Sequence, residues 1–190
     1  MKYWILLTFV FTNILFSQDE VLISKSSRIH FFSSTPLEDI YAVNTQAKGT
    51  LHTSDHKVTV LIPIKEFQFE KSIMKEHFNE DYMESDKYPY ATFRGKIHHH
   101  LHKFNLHKDG TYHITVDEEL NIHGVHHPRK IDCTVLVENG KIAINAKFSV
   151  KLVDHHIKKP SLVFDKIADE IGIDVVMEFV KQTPNNTENK

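Results

Sequence analysis

A two-residue hydrophobic alternation recurs along this chain and constrains its fold more than any other feature. Val58, Val60, Ile62 and Ile64 alternate with Thr59, Leu61 and Pro63. Tyr112, Ile114 and Val116 alternate with His113, Thr115 and Asp117, and Leu120 and Ile122 prolong the segment. Ile142, Ile144, Ala146, Phe148 and Val150 form a third series, and Ile171, Ile173, Val175, Met177 and Phe179 a fourth. Successive side chains of a strand point to opposite faces, so each series puts its apolar residues on one side. Shorter strands fit Ile29 to Ser33, Lys48 to His52, Ala91 to His98 and Lys130 to Glu138. The pattern predicts about eight strands. Lys108-Asp109-Gly110 and Glu138-Asn139-Gly140 read as hairpin turns, because Asp-Gly and Asn-Gly supply the positive φ such turns need. Pro63 inside a strand pattern predicts an edge or a bulge.

Two segments break this rhythm. Lys71 to Met83 spaces Met74, Phe78 and Tyr82 four residues apart, which predicts a helix with a narrow apolar stripe. Pro89 lies just beyond it and blocks its continuation. Leu162 to Ile171 fits a short second helix, with Pro160 near its start. Many antiparallel strands with one or two short helices make an all-β sandwich or a closed barrel. A barrel of about eight strands is either filled by its own side chains or hollow enough for one small ligand. The alternation is the same in both cases.

The first residues belong to a different category. Met1-Lys2 is a short positive start, Tyr3 to Phe16 is almost wholly apolar, and Ser17 precedes Gln18-Asp19-Glu20. This is the layout of a secretory signal peptide, residues 1–17, and the apolar run is shorter than the roughly 20 residues of a membrane span. The mature chain would then be one domain, residues 18–181, followed by a polar, aperiodic tail at 182–190 expected to be disordered. Its expected location is the periplasm or outside the cell. Lys2 is the one charge in residues 1–17, so 22 basic residues would face 25 acidic ones. No basic block favours nucleic acid.

Chemistry-bearing motifs are scarce. Cys133 is the sole cysteine, so no internal disulfide forms, and its phase with Ile131, Val135 and Val137 predicts a buried, apolar role. The chain has no G-x-S-x-G, H-E-x-x-H, P-loop or Rossmann fingerprint, and an enzyme is not expected. Asp154 and His155 are adjacent, and adjacent strand residues face opposite ways, so they do not make an orienter and base. The histidine count, 15, is high. His98, His100 and His102 would share one face if their strand continues, and three imidazoles can hold Zn²⁺ or Cu²⁺. Their spacing matches no specific motif. They mark an alternative metal-binding reading, with no cofactor expected otherwise.

The stretch from Ile73 to Ile97, IMKEHFNEDYMESDKYPYATFRGKI, resembles the signature region of the YceI-like family. There a short helix leads through Lys-Tyr-Pro into a strand with Ala-Thr-Phe. His77, Phe78, Tyr82, Lys87, Tyr88, Pro89, Ala91, Thr92 and Phe93 stand at the matching positions. Residues 120–132, 146–160 and 168–179 resemble further landmarks of that family in the same order. The resemblance spans about residues 27–180. Departures are Asp117-Glu118-Glu119, where the family often has a glycine, and His155, where an aromatic often follows the aspartate.

The resemblance implies a lipocalin-like antiparallel β-barrel with an elongated apolar cavity, exported from the cytoplasm. It implies binding of a polyisoprenoid or similar long-chain amphiphile without catalysis, the membrane serving only as a source of lipid. The expected cavity lining is Val60, Ile62, Phe93, Ile97, Ile114, Val116, Ile144, Phe148, Val175 and Met177. Phe78 and Tyr82 would add contacts from the helix. Plain core packing accounts for each of these positions equally well. A filled barrel acting through a protein partner is therefore a further alternative.

Overall fold

The computed structural model describes residues 20–98, 104–159 and 167–182. Among the described residues ten strands run in chain order: β1 (Val21–Ser34), β2 (Asp39–Asn44), β3 (Lys48–His52), β4 (Lys57–Pro63), β5 (Gln68–Phe69), β6 (Tyr90–His98), β7 (Gly110–Ile122), β8 (Val125–Glu138), β9 (Lys141–Lys151) and β10 (Glu170–Lys181). Eight of them close on themselves in the order β1-β3-β4-β6-β7-β8-β9-β10, with β10 returning to β1. All pairings are antiparallel, as hairpin connections allow. The expected all-β, lipocalin-like barrel of about eight strands is the fold observed.

Strand β1 explains the two strands outside the closure. Its start, Val21 to Ile23, pairs with β3, and its second half, Ile29 to Ser34, pairs with β2. Its register with β10 shifts between Ser24 and Ser26, and such a bulge bends a strand. β2 continues the wall where β3 has ended, and β5 adds two residues to it. Neither strand was expected: β5 has only two residues, and in β2 the outward Tyr41 and Val43 blur the alternation of Ile40 and Ala42. The Lys25-Ser26-Ser27 interruption likewise hid the first half of β1.

Local chemistry sets the connections. Asn139 and Gly140 both have positive φ and join β8 to β9 by the expected tight turn. His123 and Gly124 do the same between β7 and β8, a turn the sequence reading did not single out. Asp109-Gly110 is not such a turn. β6 ends at His98 and β7 starts at Gly110, and the Asp109 carboxylate instead accepts the Asn139 N–H at 3.0 Å. Pro63 is neither an edge nor a bulge but the last residue of β4, and its carbonyl accepts Asn44 Nδ2 at 2.7 Å.

The expected helix is present as α1 (Ser72–His77), which widens into one π-helical turn, Phe78–Tyr82. A helix over Leu162 to Ile171 does not hold at its end, since Glu170 and Ile171 already pair with β9. Residues 162–166, the expected N-terminal leader, the expected tail beyond Gln182 and the histidines at 99, 100 and 102 lie outside the described residues. Among the described residues no helix is long and apolar enough to cross a membrane.

The two ends of the barrel differ. At the end formed by Val21, His52, Glu138 and Lys181, the inward side chains of Leu22, Leu51, Val135, Val137 and Ile142 are buried against one another. At the other end, beside α1, the interior is hollow.

Candidate ligand-binding cavity

The hollow measures about 420 Å³. All twelve positions expected to line a cavity do line it. Val60 and Ile62 come from β4, Phe93 and Ile97 from β6, and Ile114 and Val116 from β7. Ile144 and Phe148 come from β9, Val175 and Met177 from β10, and Phe78 and Tyr82 from the π-helical turn. Each strand residue is placed by alternation: in a closed barrel every second side chain must point inward. Cys133 also faces the cavity, and burial pushes its thiol up to about 12, far from a reactive thiolate.

The wall beside α1 is aromatic. Phe31 of β1 stacks on Phe78 with ring centroids 5.4 Å apart. Phe69 lies 5.5 Å from Phe31 and 5.1 Å from Phe78, and Phe67 lies 5.5 Å from Phe78. These four rings form the wall where β1 leaves β3. Only Phe78 was anticipated. The signal for Phe67 and Phe69 was the Phe67–Gln68–Phe69 alternation in a segment too short to stand out, and Phe31 lay in the expected strand Ile29 to Ser33.

The mouth lies at the same place. Lys71, Ile73 and His77 are exposed yet contribute to the lining, as do Ser33 and Glu38. Lys71 Nζ donates to Glu38 Oε1 at 3.3 Å, which ties the start of α1 to the β1–β2 turn. Ser33 is buried, and its Oγ accepts the Ala168 N–H at 3.0 Å, which ties β1 to the segment before β10. Beyond these few groups and the Tyr82 phenol the described lining is apolar. No group of three His, Cys, Asp or Glu side chains among the described residues could hold a metal ion. The alternative metal set cannot be placed: His98 ends β6, and His100 and His102 lie outside the described residues.

Polar groups hidden in the wall were missed. Glu118 is in phase with Ile114, Val116 and Leu120 and so points inward, with its side chain 0% exposed. It stands opposite Arg129, whose Nε lies 3.5 Å from Glu118 Oε1, and neither Glu118 oxygen accepts a hydrogen bond from a described residue. Burial pushes its carboxyl up to about 7, against the pull of Arg129. Arg129 also donates through Nη2 to the Ser149 carbonyl at 2.7 Å and lies 4.9 Å above the Phe148 ring. The pair therefore sits behind Phe148 and does not itself line the cavity. Tyr82 is buried too, and burial with Asp81 nearby pushes its phenol up to about 12. His155, the departure from the family pattern, is not among the residues that line the cavity. It is buried under β8 with Nδ1 3.3 Å from the Val125 carbonyl oxygen, and burial lowers its pKa.

Comparison with known proteins agrees with this architecture. A polyisoprenoid-binding domain from Saccharophagus degradans superposes with a TM-score of 0.73 at 14% identity, over 87% of this chain and 100% of that one. BcnA of Burkholderia cenocepacia gives 0.64 at 16% identity, over 80% and 95%. The YceI protein of Campylobacter jejuni gives 0.55 at 16% identity, over 96% and 99%. At these identities the likeness establishes the fold. No curated protein matches the chain. The family model described as the YceI-like domain matches residues 21–179, nearly the whole barrel, and the chain belongs to the YceI-like family.

Proposed function

We propose that this protein is an exported carrier that holds a polyisoprenoid, or a similar long-chain amphiphile, in its barrel without catalysis. The observation that carries this reading is the cavity of about 420 Å³, whose lining is apolar except at its mouth. Small-molecule sites are concave and mostly apolar, with a few polar groups that set orientation. Here those groups, Ser33, Glu38, Lys71 and His77, gather at one end, which suits a molecule with a polar head and a long apolar tail. Each buried CH₂ contributes about 0.8 kcal/mol, so a tail alone supplies useful affinity. The solved Saccharophagus degradans domain is a polyisoprenoid-binding protein, which supports the ligand class. The twelve anticipated lining residues would make the tail contacts.

Export is supported by the Met1 to Ser17 layout and is tested by N-terminal sequencing of protein from its host, which should start at Gln18. Binding is tested by displacement of a fluorescent fatty probe. A prenol should displace it stoichiometrically, and a short polar alcohol should not. A protein that takes up neither probe nor prenol would not be a carrier.

A further inference from the structure

We propose that the cavity is a length gauge, with Phe179 and Met177 as its floor, that admits about four isoprene units of an extended chain. The inference rests on the carrier reading and adds the size of the tail. The lining runs from Ile122 to Ile114 on β7 and from Ile171 to Phe179 on β10. Each run is eight residue steps, about 26 Å at roughly 3.3 Å per residue. Strands of a small barrel tilt by about 40°, which leaves about 20 Å along the axis. An extended chain of ~1.5 Å bonds advances about 1.25 Å per bond, so about 16 main-chain carbons fit, or four isoprene repeats.

The floor is built rather than incidental. Phe179 stands opposite Ser24 and Met177 opposite Ser27 on β1, two small residues that leave the space above them free. Both long side chains cross that space to β3. A Cβ on Gly49 would lie 3.0 Å from Met177 Cε and 3.1 Å from Phe179 Cε1. Gly49 thus receives both tips. Around them Leu51, Val135 and Ile142, the last paired with Phe179 itself, are buried and border no part of the cavity. A longer tail has nowhere to go except back out of the mouth.

The test is the dissociation constant of a series of prenols from two to eight isoprene units, measured on the folded full-length mature chain by probe displacement. The gauge predicts affinity that rises about tenfold or more with each unit up to four and is flat beyond. Two variants should move the break in opposite directions. Ala146→Leu narrows the bore just above the floor and should shift it to about three units. Phe179→Ala opens the floor and should shift it to about five, with circular dichroism confirming the fold. Affinity that keeps rising to eight units, or a break that Ala146→Leu leaves in place, would overturn the gauge while leaving the carrier intact. No binding at any length would remove the carrier reading and the gauge with it.

Discussion

Tyr88 and Gly124 are in contact through the missing side chain of the glycine: a Cβ built on Gly124 would lie 2.6 Å from Tyr88 Cε1. Tyr88 belongs to the Lys-Tyr-Pro step that leads α1 into β6, and Gly124 to the turn between β7 and β8. Gly124 has φ +73°, and the neighbouring His123 lies 4.5 Å from Tyr88 between ring centroids. His123 Nε2 is 2.6 Å from Glu84 Oε2, which anchors the same turn to the end of the helical segment. Two separate stretches that mark the family in sequence therefore lock together, beside the hollow end of the barrel.

Gly124→Ala should meet two costs. A methyl at positive φ costs about 1 kcal/mol, and the clash with Tyr88 about 1–3 kcal/mol more. Thermal unfolding should show a loss of about 5–12 °C for a domain of this size. In a Tyr88→Ala background the clash is absent, so the same glycine change should cost only the backbone part. Equal losses in both backgrounds would mean that the ring contact carries no energy.

Glu118 should make stability fall as pH rises. Its carboxyl is raised to about 7 in the folded protein from an ordinary value of 4.5. The folded state therefore favours the protonated form. That contribution is complete below about pH 4.5 and is lost as pH rises through about 7, with an upper size of about 3 kcal/mol. Glu118→Gln stays neutral throughout. Urea unfolding at pH 5 and pH 8 should show the variant gaining on the parent protein as pH rises. His155, with its lowered pKa, acts in the opposite direction in both proteins and cancels in this difference.

Ile114→Trp and Val175→Trp distinguish hollow from filled. Extra volume forced into a packed core costs about 1–3 kcal/mol or more. Both positions border the cavity, so an indole there has room. The expected result is near-parental stability with lost uptake of a fatty probe. The same change at Val135, which belongs to the packed end, should prevent folding or reduce stability severely.

Phe78→Ala removes the ring shared by Phe31, Phe67 and Phe69. Phe78 is only partly buried, so the loss should be about 2–3 kcal/mol, below the 3–5 of a fully buried phenylalanine. The wall beside the mouth would loosen with it. Stopped-flow release of a bound probe should be faster than from the parent protein.

The barrel was legible because inward and outward residues alternate whether or not the inside is occupied. That is also why the hollow was not legible. Val116 and Val175 border empty space, while Val135 and Ile142 fill the opposite end, and the four obey one pattern. What separates them is position along the barrel axis, which depends on strand register, and register is fixed by turns. The His123-Gly124 turn pairs Ile122 with Val125 and, four pairs on, Glu118 with Arg129. Glu118 stood in phase with its apolar neighbours from the start, but only that pairing reveals the inward cation opposite it. The mouth was hidden for another reason. It joins Glu38, Lys71 and Ser33 from separate elements, through contacts that no local pattern encodes.

The most direct test of the central claim is mass spectrometry of the organic extract of protein purified from its native host, without detergent or added lipid. The carrier reading predicts one polyisoprenoid or similar long-chain amphiphile per chain, absent from folded Ile114→Trp protein prepared in parallel. An extract with no stoichiometric amphiphile from folded protein, or the same species retained by the tryptophan variant, would contradict it.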